Sequence, residues 1–245
     1  MKTRPFSLTK TLLCAAFGAT LALCGCVSVP NVAASKSSVA QMKRITVLAI
    51  REPPVVQVVN IGGAAGAFGV IGGLIQGSAN ADHSKAFLAA MVQRKVSFGE
   101  PLLAAVESSL RQDGFDVSVD QTQWPKKTAD GKSDDYSALH VDSDAILIVW
   151  FGVVGYMSPP NSTHYVPWVV IKARLLDART KQDIYFKTFC VGYKMKVENA
   201  VQLPADPKYR FNSFDDLMAH VDGAVDGLVD CEKIAAMRMG SDLAR

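Results

Sequence analysis

Residues 145–156 (AILIVWFGVVGY) carry no charge and, apart from two glycines and one alanine, consist of large aliphatic or aromatic side chains. A run of this length and composition, closed by Pro159-Pro160-Asn161, predicts a strand buried on both faces and placed at the centre of a sheet. Residues 165–177 then alternate, with Lys172 and Arg174 on one face and Ile171, Ala173 and Leu175 on the other. Residues 178–181 form the turn and residues 183–194 return, so this region predicts a hairpin beside the central strand. Residues 43–50 (KRITVLAI) predict the first strand, ended by Pro53-Pro54, which cannot donate to a ladder.

Helical periodicity covers residues 78–95, with a stripe of Phe87, Leu88, Met91 and Val92. It resumes at Gly99-Glu100-Pro101, where Leu103, Val106 and Leu110 share a face, and ends at Gly114. Residues 115–119 (FDVSV) predict a strand, and residues 121–135 a polar loop in which Lys126, Lys127 and Lys132 alternate with acids. A short helix is expected at 134–140. The last helix is expected from Ser213, with Asp216 in capping spacing, to about Met237. The fold class is α/β (α+β): one domain over 43–237, a mixed sheet of four to five strands with helices packed in two or three layers, and a C-terminal tail at 238–245.

Residues 55–77 (VVQVVNIGGAAGAFGVIGGLIQG) are uncharged and hold seven glycines. Small residues recur every fourth position at Ala65, Gly69, Gly73 and Gly77, with Gly62 and Gly66 as a second pair. That spacing lets helix backbones approach closely in lipid, which points to membrane contact or self-association. Gln57, Asn60 and the helix-weakening glycines point instead to a mobile loop inserted between strand and helix.

The first 25 residues hold Lys2, Arg4 and Lys10 and no acid, then an uncharged stretch at 11–23, too short to span a bilayer, and then Leu23-Cys24-Gly25-Cys26. The layout is that of a secretory signal peptide, and its end resembles the lipobox of bacterial lipoproteins: Leu first, a small residue before the cysteine, with Cys24 in the middle where Ala or Ser is usual. The resemblance implies lipid attachment at Cys26, since Cys24 follows the large Leu23. It also implies outer-membrane retention on the periplasmic face, because Val27 rather than Asp comes next. Residues 26–42 are small and polar and predict a flexible tether.

Lys2, Arg4 and Lys10 account for the whole excess of 26 basic over 23 acidic residues. The remainder is balanced, which argues against a nucleic-acid partner. Beyond Cys26 only Cys190 and Cys231 remain, in an oxidising compartment where they form either a disulfide or two buried free thiols.

Several stretches resemble the α/β domain of the CsgG family and of related periplasmic lipoproteins such as LpoB and the N-terminal domain of TolB. They are KRITVLAI, Asp113-Gly114-Phe115-Asp116-Val117, Ser143-Asp144-Ala145-Ile146-Leu147-Ile148, and Leu175-Leu176-Asp177-Ala178-Arg179-Thr180, in that order. The chain lacks the long alternating hairpins of the CsgG channel, and its glycine run has no counterpart there. The resemblance implies a lipid-anchored periplasmic domain that binds another envelope protein.

No phosphate loop, dinucleotide fingerprint, HExxH or GxSxG motif is present, so no cofactor or catalytic residue is expected. His140, Asp142 and Asp144 would share one face if extended, and are the candidate metal ligands of an enzyme reading; Asp82-His83 suits helix initiation better. The expected function is non-enzymatic contact with envelope proteins, the alternative a homo-oligomer or membrane-associating protein using residues 55–77.

Overall fold

The apolar run at 145–156 is the axis of a mixed sheet, with helices packed on one face of it. The computed structural model describes residues 29–61, 69–131, 133–160, 162–195 and 197–244. In chain order these form α1 (Lys36–Gln41), β1 (Arg44–Leu48), β2 (Val56–Asn60), α2 (Gly69–Gln93), α3 (Gly99–Gln112), β3 (Asp116–Asp120), β4 (Lys126–Lys127), β5 (Asp134–Asp135), β6 (Ala145–Ser158), β7 (Val166–Asp177), β8 (Asp183–Gly192), β9 (Val201–Leu203), α4 (Phe214–Ala219) and α5 (Val221–Leu243). The α/β class holds, with seven strands in the main sheet rather than four or five. The order is β3-β1-β6-β7-β8-β9, with β2 also on β6 and β4-β5 a separate ribbon.

β6 is long enough to carry two parallel neighbours in series. β1 pairs with its first part (Ile45 opposite Ala145) and β2 with its last (Val56 opposite Val154), while β7 runs antiparallel along the other side. Between β1 and β2 the chain leaves the sheet at residues 49–55, around Pro53-Pro54. Gly155 allows the second pairing: a Cβ there would lie 1.7 Å from the Gln57 carbonyl oxygen.

Strand parity sorts the core. Ile45, Val47, Leu147, Val149, Ile171, Ala173, Leu175, Phe189 and Val191 face the helices and join Phe87, Leu102, Val106, Leu228 and Cys231 in the main cluster. Leu48, Ile146, Ile148 and Leu176 point the other way, where Trp124, Tyr136 and Leu139 from the segment after β3 cover them. Each fully buried aliphatic or aromatic side chain contributes roughly 1.5–3 kcal/mol relative to exposure, so the helix side dominates stability. The architecture is two layers, with a loop and a ribbon over part of the second face.

Five expectations are corrected. The tether does not extend to 42: Val32 exchanges backbone hydrogen bonds with Phe186 at 2.9 Å each, Ser35 caps α1, and Val39 and Met42 are buried in the main core. Two apolar side chains on a short capped helix were enough to dock it. The segment 55–77 is not simply a loop, because 56–60 is β2 and α2 begins at Gly69. The tail expected at 238–245 is helix through Leu243, with Met239, Gly240 and Leu243 buried against the core. The single last helix is instead α4 and α5, broken at His220. The helix expected at 134–140 is a two-residue strand and turns. Among the described residues no helix is long and apolar enough to cross a membrane.

Candidate functional site

The excursion at 49–55 sends consecutive side chains to opposite faces of the sheet. Glu52 goes to the helix side, where its carboxylate accepts from Ser97 Oγ (2.7 Å), Phe98 N (2.9 Å) and Gly99 N (3.0 Å), capping α3. Burial acts to raise this carboxyl, but the three donors together outweigh it and hold it below the usual carboxylate range. Arg51 goes to the second face, where its guanidinium lies 4.4 Å from the centroid of the Trp124 ring.

Trp124 belongs to a loop held in place by polar anchors. Asp120 Oδ1 accepts from Thr122 N and Oγ1 (2.7 Å each) and from Gln123 N (3.2 Å). The hydroxyl of Thr122 leads these bonds in lowering the Asp120 carboxyl to about 2. Gln123 then bridges to the backbone of His140, donating to its carbonyl (2.6 Å) and accepting from its N–H (2.7 Å). This cross-tie places the β4-β5 ribbon and Tyr136 beside Trp124. Tyr136 accepts a hydrogen bond from Arg174, whose guanidinium packs between the Tyr136 and Phe186 rings at 5.1 and 4.2 Å and pairs with Asp183 at 3.1 Å. Burial pushes the Tyr136 phenol up, with Arg174 opposing.

Between these walls, over Ile148 and Trp150 of β6, lies a cleft of about 280 Å³ rimmed by the Lys127–Asp134 ion pair (2.7 Å). Trp150 also contacts the Phe186 ring at 5.9 Å. Arg51 has no hydrogen bond or ion pair among the described residues. Three aromatic rings and one uncompensated guanidinium meet in one concave place, and this is the candidate site.

The sequence pattern did not point here. Residues 121–135 read as a polar loop, and the signal passed over was Trp124, a large aromatic residue within it. The residues singled out from the sequence lie elsewhere. Cys26, Cys24, Gly62 and Gly66 fall outside the described residues. Gly69 and Gly73 lie in the first turns of α2, and Gly77 has open space around it. Cys190 and Cys231 are both free and buried, and strand parity sets them apart. Cys190 shares its face of β8 with Phe186 and Thr188, opposite to Phe189 and Val191, whereas Cys231 is in the helix-side core. His140, Asp142 and Asp144 do not form an extended face. Asp144 Oδ2 accepts from the N–H groups of Lys43 (2.8 Å) and Arg44 (2.9 Å), and Asp142 lines a polar hollow with Arg44 and Ser118. Among the described residues no three His, Cys, Asp or Glu side chains are placed to share a metal ion. His83 stacks on Phe214 with ring centroids 3.7 Å apart, and His220 pairs with Asp216 at 3.0 Å.

No protein-family model matches the chain and no curated protein matches its sequence. Among solved structures, the chain is similar to the PelC dodecamer from Paraburkholderia phytofirmans, at 10% identity and a TM-score of 0.32, over 88% of this chain and 95% of that one. A variant of that dodecamer gives 12% identity and a TM-score of 0.27, over 65% and 71%. Lipoprotein GNA1162 from Neisseria meningitidis gives 16% and 0.28, over 60% and 79%. At identities of 16% or less and TM-scores of 0.32 or less, none of these likenesses carries an assignment of activity.

Proposed function

We propose that this chain is a lipid-anchored protein of the bacterial envelope, held at the periplasmic face of the outer membrane through Cys26, that acts by contact with another envelope protein rather than by catalysis. The observation that carries the contact is the cleft, with Arg51 stacked on Trp124 and lacking any partner of its own beside Tyr136 and Trp150. Trp, Tyr and Arg are the side chains that dominate protein-protein binding energy, because they combine large apolar area with a polar tip. The anchor is supported by the signal-like start and Leu23-Cys24-Gly25-Cys26. Because the chain joins the sheet at Val32, only five residues, 27–31, separate Cys26 from the domain. At full extension they span at most about 20 Å, so the domain works close to the bilayer surface.

The contact is tested by a photo-crosslinking residue placed at Trp150 in intact cells. A discrete adduct that disappears with Arg51→Glu is expected, and none from the same probe at Lys85 on α2. Adducts from Lys85 but not from Trp150 would overturn the cleft as the contact. Loss of fatty-acid labelling in Cys26→Ser tests the anchor, and continued labelling would move it to Cys24.

Self-association through residues 55–77 is a second reading. It is favoured by Leu88 and Val92, 45% and 67% exposed on the helix that carries Gly69, Gly73 and Gly77. Replacing Gly69 and Gly73 by Leu should then reduce the oligomer size in detergent, and an unchanged size would dispose of it.

A further inference from the structure

The cleft offers hydrogen-bond donors and almost no free acceptor. Arg51 is unpaired, and the indole N–H groups of Trp124 and Trp150 have no hydrogen-bond partner among the described residues. The Tyr136 hydroxyl accepts from Arg174, which leaves its own proton to donate. The one carboxylate at the rim, Asp134, is held by Lys127 at 2.7 Å. A ligand that fits must therefore bring acceptors and ring-shaped apolar groups while adding few donors.

Resting on the reading of the cleft as a protein contact, we infer that it takes an extended, proline-containing segment of the partner bearing a carboxylate, the acid on Arg51 and the proline rings among the three aromatic side chains. Proline supplies a carbonyl acceptor with no N–H, so a proline-rich stretch meets a donor-rich cleft without stranding donors of its own. Its preformed extended helix loses little entropy on docking, and aromatic-lined grooves are a recurring mode of its recognition. Placed over the Trp124 ring at 4.4 Å and free of other partners among the described residues, the Arg51 guanidinium has N–H groups to offer, and their fork matches a carboxylate with two parallel hydrogen bonds. A sugar ring brings as many donors as acceptors, and its hydroxyl protons would compete for the one carboxylate that Lys127 already holds. The cleft, at about 280 Å³, has room for a few residues and not for a folded surface.

The test uses the full mature chain in detergent. Three probes are titrated by tryptophan fluorescence: acetyl-Pro-Pro-Glu-Pro-Pro-amide, the same peptide with Gln for Glu, and a galacturonate trimer. The Glu peptide should bind about tenfold more tightly than the Gln peptide, as expected for a charge-assisted pair, with the advantage shrinking as salt is added. Arg51→Gln should erase that advantage, weakening the Glu peptide about tenfold more than the Gln peptide. Arg51→Lys should restore part of it. Arg51 is exposed, and an unchanged melting temperature confirms that both variants fold. Equal binding of the two peptides, equal weakening of both by Arg51→Gln, or tighter binding of the galacturonate trimer would overturn the inference. A Trp150 crosslink to a protein together with any of these results leaves the contact standing and removes only its proposed chemistry.

Discussion

Asn80 pairs with Asn60 as a neighbouring strand would: its side-chain Oδ1 accepts from the Asn60 N–H at 2.8 Å and its Nδ2 donates to the Asn60 carbonyl at 3.2 Å. One turn along α2, Ser84 Oγ accepts from Val58 N at 3.0 Å and approaches the Val58 carbonyl at 3.3 Å. The outer edge of β2 is thus closed by a helix instead of a strand, which satisfies backbone groups that would otherwise stand open to pairing.

Replacing Asn80 by Ala strands both groups. We expect a loss of about 1–3 kcal/mol, with hydrogen exchange quickening at the Asn60 and Val58 amides before it does in β6. Asn80→Ala that melts like wild type with unchanged exchange at Asn60 would show that the pairing contributes nothing.

A second effect is tied to pH. Glu232 on α5 is fully buried and neither carboxylate oxygen has a hydrogen-bond partner among the described residues. Burial, reinforced by the charge on Glu52, pushes its carboxyl up to about 9 from 4.5. Between those values the folded chain holds a proton that the unfolded chain releases, so the contribution of this group to stability is fully present below 4.5 and declines as pH rises to 9. The slope approaches about 1.4 kcal/mol per pH unit for one group. Glu232→Gln should remove that slope and denature later than wild type at pH 8. Parallel curves for the two proteins between pH 5 and 9 would refute the buried proton.

How far the sequence speaks depends on whether a segment's own pattern decides its environment. Residues 145–156 are apolar on both sides, so the central strand was legible, as was the β7-β8 hairpin from Lys172 and Arg174 alternating with Ile171 and Leu175. β2 was not, because Val56–Asn60 sits between Pro53-Pro54 and a glycine run that argues against regular structure, and its partner at 154–158 lies about a hundred residues away. The cleft was illegible for the same reason. Arg51, Trp124, Tyr136 and Trp150 come from four segments and meet only through the register of β1, β3 and β6. The face on which Cys190 lies was not legible either, because β8 is apolar on both faces and its alternation does not say which one meets α5.

That parity has a chemical consequence for the thiols. Burial raises both Cys190 and Cys231, which keeps them protonated and unreactive. In the native protein neither should react with a thiol reagent at pH 7.5, and both should react in denaturant. Reducing agent should leave the melting temperature unchanged. A mass two units below the reduced value, with no thiol titrated in denaturant, would mean that the two cysteines are joined after all.

The end of α5 rests on Gly240, where a Cβ would lie 2.1 Å from Ser109 Oγ and 2.6 Å from an Asp113 carboxylate oxygen. Ala at this position needs Ser109 to rotate. The branched side chain of Val needs α5 to move off α3, undoing the burial of Met239 and Leu243. Gly240→Val should cost about 1–3 kcal/mol, the usual penalty of overpacking. Gly223, near the start of the same helix, has nothing within 4 Å of its Cβ position, and Gly223→Ala should stabilise by about 0.5–1 kcal/mol through the backbone freedom it removes from the unfolded chain. The two substitutions therefore move the denaturation midpoint in opposite directions. Gly240→Val as stable as wild type would mean that residues 238–243 do not pack on α3.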